Sequence, residues 1–456
     1  MDDLKRAFDA LKDKLPIYNE LFQYYDGDQP LKYSTQKLKE IFQTIDARFN
    51  QNWCAVVVNA VLERLHVQGW DAEDETINDA LDAYFDKESV FLEIIAAHEA
   101  AAVCGEGFVI VWPDEENEPQ TYANDPRLVH AFYQADNPRE MEFAAKWWVG
   151  TGNLRYMTLY YPDRLEYYVS DCEEDKVSTV EAMVPAEPPQ APNPYGRIPV
   201  FHLQRNRRSG DGELANVIQP QDAINKLFAD MMVAAEFGAF RQRYIISMAD
   251  EANLKNAPNE IWQLSAGDGL GQATSVGQFE ATDLDNYLQA IDKLANVVAV
   301  ITRTPKHYFL EATGANISGE ALIAMEAPLN KKTDTDPRVF GVTWKEVGAF
   351  VASLLGYTID ASELTVVWEP GDTTQPFTEA QTRKTSVDAD IPLVTQLKRE
   401  GWTQAELDEL EKDEKAAKSK QTSVATALLA QARAEQQQQN PQDAQPVNNL
   451  PGAIGA

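Results

Sequence analysis

The segments PQDAINKLFADMMVAAEFGAF (residues 220–240) and LDNYLQAIDKLANVVAVIT (residues 284–302) organise this chain. In the first, Ile224, Leu227, Phe228, Met231 and Ala235 recur at three- and four-residue steps, which puts them on one face of a helix. In the second, Leu284, Tyr287, Leu288, Ile291, Leu294, Ala295, Val298 and Ile301 share a face in the same way. Between them lie strand-like pieces at Arg243-Tyr244-Ile245-Ile246, Ile261-Trp262-Gln263-Leu264 and Val276-Gly277-Gln278-Phe279. Two long helices bracketing a small α/β insert predict a hairpin with a tip.

Upstream, Leu4, Phe8, Leu11 and Leu15 predict an amphipathic helix that Pro16 interrupts, with a second short helix to Tyr25. Helices are expected over 52–65 and 88–103. At Gly105 the texture turns β-like. Phe108-Val109-Ile110-Val111-Trp112 reads as a buried strand, followed by strands at 128–132, 143–149, 156–161 and 164–169. The expectation is an antiparallel sheet of about four to six strands, closed by a stiff Pro-rich connector over 185–199.

Downstream, Thr304-Pro305 ends the second long helix. The loop Leu310-Glu311-Ala312-Thr313-Gly314-Ala315-Asn316-Ile317-Ser318 leads to a third helix, with Ser318 as its expected N-cap. Pro328 and residues 331–337 should kink or break that helix. It resumes through Trp344 and Phe350 toward a strand at 364–368. Residues 378–420 read as polar helix with a break at Gly401-Trp402. Residues 421–456, with four Gln at 436–439, read as a disordered tail.

The chain has 456 residues, long enough for about three domain-sized units. Its 44% hydrophobic content supplies a sizeable core. With 72 acids against 40 Lys and Arg, the net charge is −32. That excludes a general high-affinity nucleic-acid binder, which needs a basic footprint. Cys54, Cys104 and Cys172 are too few and too far apart for a disulfide framework or a CxxC site. Met1-Asp2-Asp3-Leu4-Lys5-Arg6 does not read as a signal peptide, and no apolar run is long enough to span a membrane.

A search for chemistry returns little. His98-Glu99-Ala100-Ala101-Ala102 begins like HExxH but has Ala102 where the second zinc ligand belongs. The five histidines are scattered. Gly267-Asp268-Gly269-Leu270-Gly271 precedes a strand-like piece instead of the helix N-terminus that a phosphate cradle needs. Asn316-Ile317-Ser318 is a glycosylation sequon with nothing to direct the chain to secretion. No catalytic residue, metal site or cofactor is expected, and the chain does not read as an enzyme. Basic residues gather at Arg205, Arg207 and Arg208, and at Lys331, Lys332 and Arg338. They read either as salt-bridge partners for neighbouring acids or as contacts to an acidic partner or phosphates.

The order of parts resembles the portal proteins of tailed double-stranded DNA bacteriophages, in their siphovirus-like branch. Tyr24-Tyr25-Asp26-Gly27-Asp28 is similar to that family's early Tyr-Tyr-x-Gly-x segment. The 52–65 helix followed by Val67-Gln68-Gly69-Trp70 is similar to its Asn-x-x-x-x-Val-x-x helix and following Gly. Ile301-Thr302-Arg303-Thr304-Pro305 and the stretch from Gly314 to Leu322 resemble its helix end, tunnel loop and next helix. The resemblance spans roughly residues 15–415.

What the resemblance implies is an α+β, mainly helical portal fold assembling into a ring, usually a dodecamer, at one capsid vertex. By that likeness residues 1–219 form a wing, a helical N-terminus plus mixed β-sheet. Residues 220–240 and 283–304 form stem helices, and 241–282 a clip carrying Arg241, Arg243, Tyr244, Trp262, Gln263 and Phe279. Residues 305–318 form the tunnel loop, 319–377 further wing and 378–420 a crown. The implied partners are the terminase large subunit, a head-completion or adaptor protein, and the major capsid and scaffolding proteins. Contact with double-stranded DNA would be transient and sequence-independent, with no membrane involved. The implied location is the virion, after assembly in the host cytoplasm. Another capsid or head-tail connector ring protein is the alternative.

Overall fold

The computed structural model describes residues 2–32, 51–239, 243–246, 275–278, 283–309, 319–369 and 371, and, toward the C-terminus, 381, 383–386, 388, 389, 391–399, 407, 410, 412 and 415. The fold is α+β and divides into two units, Met1–Thr373 and Thr374–Ala456.

The first unit opens with α1 (Asp2–Asp26), one helix that continues through Pro16. The expected interruption does not occur because packing holds both halves. Leu4, Phe8 and Leu11 are buried with Phe143, Trp147 and Met157, while Tyr18 and Tyr24 are buried with Trp53 and Val57. Burying several large side chains, at about 1.5–3 kcal/mol each, outweighs the ~3 kcal/mol cost of an internal proline. Next come α2 (Trp53–Leu62), β1 (Val67–Ala72), α3 (Glu75–Phe85) and α4 (Glu88–Cys104). Asn52 caps α2 by accepting from the Ala55 amide at 3.1 Å. Gly105, at φ 87°, ends α4 in the left-handed conformation that glycine adopts without cost.

Two sheets follow, each wholly antiparallel. The first orders β3 (Pro119–Asn124), β2 (Glu106–Pro113) and β9 (Val200–Gln204). The second orders β4 (Val129–Tyr133), β5 (Met141–Val149), β6 (Leu154–Tyr160), β7 (Arg164–Glu173) and β8 (Met183–Pro192). The antiparallel pairing agrees with the expectation, but the strands fall in two sheets where one was expected; the five of the second run in chain order as a meander. The meander also corrects the Pro-rich connector, much of which is β8, an edge strand on β7. Prolines are tolerated there because an edge strand leaves one row of backbone groups unpaired. The close approach of α4 to β2 requires Gly107, where a Cβ would lie 2.4 Å from the Ala97 carbonyl.

Beyond the sheets lie α5 (Ile218–Ala239) and α6 (Asp285–Thr302), which pack on each other. In the segment between them, β10 (Arg243–Ile246) pairs antiparallel with β11 (Ser275–Gln278). The helices α7 (Gly319–Thr333) and α8 (Asp336–Leu354) follow. The break falls at residues 334–335; α7 runs through Pro328, while Pro337 sits in the first turn of α8, where its missing N–H is not needed. Finally β12 (Leu364–Trp368) pairs with β1, closing the largest core around Trp70, Trp344 and Phe350. In the second unit α9 (Leu393–Arg399) buries Leu397. Gly401-Trp402 and residues 421–456 lie outside the described residues.

Candidate functional site

The candidate site is the α5–α6 pair, the segment it carries and the loop after it. The root of the pair is built from polar residues set among apolar ones. Ile224 of α5 and Ile291, Ala295 and Val298 of α6 are buried with Trp53, Val57 and Val103. On α5, Gln221, Asp222 and Asn225 are buried too. Gln221 accepts from the Trp53 amide at 3.0 Å, donates to the Gln51 carbonyl, and donates to Asn225 at 3.0 Å. Asp222 accepts from the Tyr24 hydroxyl at 2.6 Å. Burial pushes the Asp222 carboxyl up, against the Tyr24 hydrogen bond and the Lys32 charge. Buried polar groups satisfied in this way fix one arrangement of a helix, because any shift strands a donor or acceptor.

A second network ties down the end of α6. Arg205 pairs with Glu213 at 2.8 Å and with Asp336 at 2.9 Å. Lys332 pairs with Glu213 and donates to the Thr302 carbonyl at 2.9 Å, placing a cation at a helix C-terminus. Burial lowers the Lys332 pKa and raises that of Asp336. Arg205 and Lys332 are therefore internal. Arg207 is exposed, donating to Gln204 at 3.0 Å and to the Pro138 carbonyl at 3.3 Å. Arg208 is exposed, as is Lys331, which reaches Asp334 at 3.5 Å.

The flanks of the 310–318 loop are anchored on α2 and its end. Phe309 meets Trp53 edge-on at 5.5 Å. Beyond the loop, Glu326 of α7 is buried and accepts from Arg64 at 2.6 Å and Tyr308 at 3.1 Å, with His307 at 3.0 Å. Leu310 to Ser318 themselves lie outside the described residues, as do Arg241, Trp262, Gln263 and Phe279. Arg243 and Tyr244 are backbone members of β10, in register with Gln278 and Gly277.

The α6 helix carries apolar residues on two sides. Ile291, Ala295, Val298 and Ala299 face the core, whereas Leu288, Val297, Val300 and Ile301 are exposed, Val300 by 78%. Sequence periodicity put Leu288 and Ile301 on one face with Ile291, Ala295 and Val298, but it cannot apportion a wide apolar face between a core and solvent. It also missed the anchors. Their signal was available in Gln221, Asp222 and Asn225, polar residues at helical spacing beside an otherwise apolar stripe.

His98 has both ring nitrogens engaged. Nδ1 lies 3.1 Å from the Leu65 carbonyl and so carries the proton, leaving Nε2 to accept from the Trp344 indole at 2.8 Å. Neither nitrogen has a lone pair free for a metal. Among the described residues no group of three or more His, Cys, Asp or Glu is arranged to hold a metal ion. A further buried cluster centres on Glu106, which accepts from Tyr18 at 2.7 Å and from Lys14, and meets His202 at 3.1 Å. Burial alone would raise the Glu106 pKa, but His202 and Lys14 together hold it well below the usual carboxylate range. This cluster joins α1, β2 and β9.

With that geometry in place, comparison with known proteins gives the family. The model for "Phage portal protein, SPP1 Gp6-like" matches residues 4–420. The chain belongs to the phage portal protein family. Among its relatives, the portal protein of Mycobacterium phage L5 is 25% identical over 315 residues, covering 63% of this chain and 62% of that protein. The portal protein of Mycobacterium phage D29 is 29% identical over 170 residues, 34% of each chain. The matched regions thus span less than two thirds of these portal proteins' own lengths. Chains in two solved assemblies are also similar. One, in the virion of a native gene transfer agent particle, has 12% identity and a TM-score of 0.44, covering 78% of this chain and 90% of that one. The other, in the neck of the native particle computed with C12 symmetry, has 11% identity and a TM-score of 0.44, covering 79% and 91%. Among the described residues of this portal family member, no helix is long and apolar enough to cross a membrane.

Proposed function

We propose that this chain is the subunit of a closed ring, usually twelve-membered in the family, that forms the DNA channel at one capsid vertex. It would act structurally, in DNA packaging and ejection, as a virion component assembled in the host cytoplasm. The observation that carries this reading is the portal family match across residues 4–420. The α5–α6 pair gives it a mechanism. One side of the pair is fixed to the core, and the exposed Val297, Val300 and Ile301 supply an apolar face for a neighbouring copy.

In this reading residues 220–240 and 283–304 are the stem, and 241–282 the clip that docks the terminase large subunit and then a head-completion protein. The pairing of β10 with β11 at the ends of the insert supports a compact tip. Residues 1–219 and 319–377 are the wing and 378–420 the crown; the major capsid and scaffolding proteins are further partners. The loop from Leu310 to Ser318 is the tunnel loop. Its one acid is Glu311 and it has no Lys or Arg, so it can touch DNA without gripping it. A net charge of −32 per copy repels phosphates and favours sliding over binding.

The test is Ala315→Trp, assayed for DNA packaging alongside ring assembly. The expected outcome is slowed or blocked packaging with rings intact. Normal packaging by this variant would remove the tunnel-loop assignment.

A further inference from the structure

A cleft of about 600 Å3 lies between the β4–β5 turn, β9 and α8. Its cations set it apart in so acidic a chain. Arg139, Arg197 and Arg207 all line it, against Glu140 and Glu346. Arg197 is half-buried, with its guanidinium 5.1 Å from the ring centres of both Phe201 and Phe350. Among the described residues it has no hydrogen bond or close ion pair from that guanidinium; it feels only the more distant charge of Glu346. An arginine pre-positioned on aromatic rings presents a planar fork of donors suited to a carboxylate. Beside it, Val339 and Val342 of α8 stand 40% and 62% exposed. Apolar residues next to a stacked arginine are the composition of a protein interface core.

We propose that this cleft is the socket for an acidic segment of a neighbouring copy of the chain, its carboxylate seated on Arg197 and its apolar flank covering Val339 and Val342. The proposal rests on the ring reading above. Charge complementarity selects the occupant: a chain with 72 acids against 40 Lys and Arg has carboxylates in excess, while this cleft gathers three arginines against two acids. A ring closes through unlike surfaces on the two flanks of each subunit, which is what a socket on one flank and an acidic segment elsewhere provide.

The experiment places a photo-crosslinking phenylalanine analogue at Val342 in the full chain, with assembly followed by native mass spectrometry and crosslinked peptides mapped. Wild-type chain and an Arg207→Glu variant are compared in parallel. The expected results are a crosslink from position 342 to an Asp- or Glu-containing peptide of another copy, and a ring dissociation concentration raised about tenfold or more by Arg207→Glu and restored by Arg207→Lys. Rings that form without that crosslink, or a crosslink only to DNA or to another protein, overturn the socket and leave the ring reading standing. A wild-type chain that forms no ring overturns both.

Discussion

Burying an imidazole in an apolar core is costly unless both nitrogens find partners, and His98 shows how this chain meets that condition. The ring stacks between Phe340 at 5.2 Å and Trp368 at 5.8 Å while bonding Leu65 and Trp344. Burial depresses its pKa to about 4, with His66 and Arg205 pushing in the same direction. The unfolded chain, with an ordinary histidine, takes up a proton below about pH 6.5, and the folded chain resists until about 4. Stability is therefore present above pH 6.5 and lost as pH falls through that window. Thermal melts should show a midpoint that drops between pH 7 and 5. His98→Ala should lower the midpoint at pH 7, through a cavity and an unpaired indole N–H costing about 2–4 kcal/mol, and should flatten part of the acid slope. An unchanged slope in His98→Ala would show that other buried histidines, His130 and His202 among them, carry all of it.

Helices were more legible than strands, for reasons visible in particular elements. The stripes in 220–240 and 284–302 are local patterns, and the structure places helices at Ile218–Ala239 and Asp285–Thr302. β1 was not legible because its partner, β12, is distant in sequence and its alternation is broken by an irregularity between Val67 and Gly69. α3 was legible but overlooked: Asp74 caps it by accepting from Thr76 at 2.9 Å, and Ile77, Leu81 and Tyr84 form its buried stripe. Of the candidate site, the helical frame could be read in the sequence. Arg205 and Lys332 take the first of the two readings the sequence left open, pairing with acids, but their partners Glu213 and Asp336 could not be read because the fold brings them in. At this scale the prediction concerns α6. Val300→Asp changes a residue that is mostly exposed in the single chain, so it should shift the melting of unassembled protein little. It should nevertheless abolish or strongly weaken assembly by placing a charge in an apolar contact. Sedimentation of the variant beside wild type measures this; normal assembly would mean that the exposed face of α6 is not a subunit contact.

The whole molecule has three relevant properties: a net charge of −32, a helical pair fixed by buried polar anchors, and an apolar face left uncovered in the single chain. Each has a use in a closed ring around DNA. In the proposed ring the acid would keep phosphates from sticking, the anchors would hold each helical pair in one pose, and the apolar face would give the neighbours a surface to cover. Membership of the portal family over residues 4–420 makes the ring the central claim. Native mass spectrometry of the purified full chain, with negative-stain images of the same sample, tests it most directly. The account predicts a single closed species of about a dozen subunits with a central hole; a stable monomer or dimer at micromolar concentration, with no ring in any buffer, would contradict it.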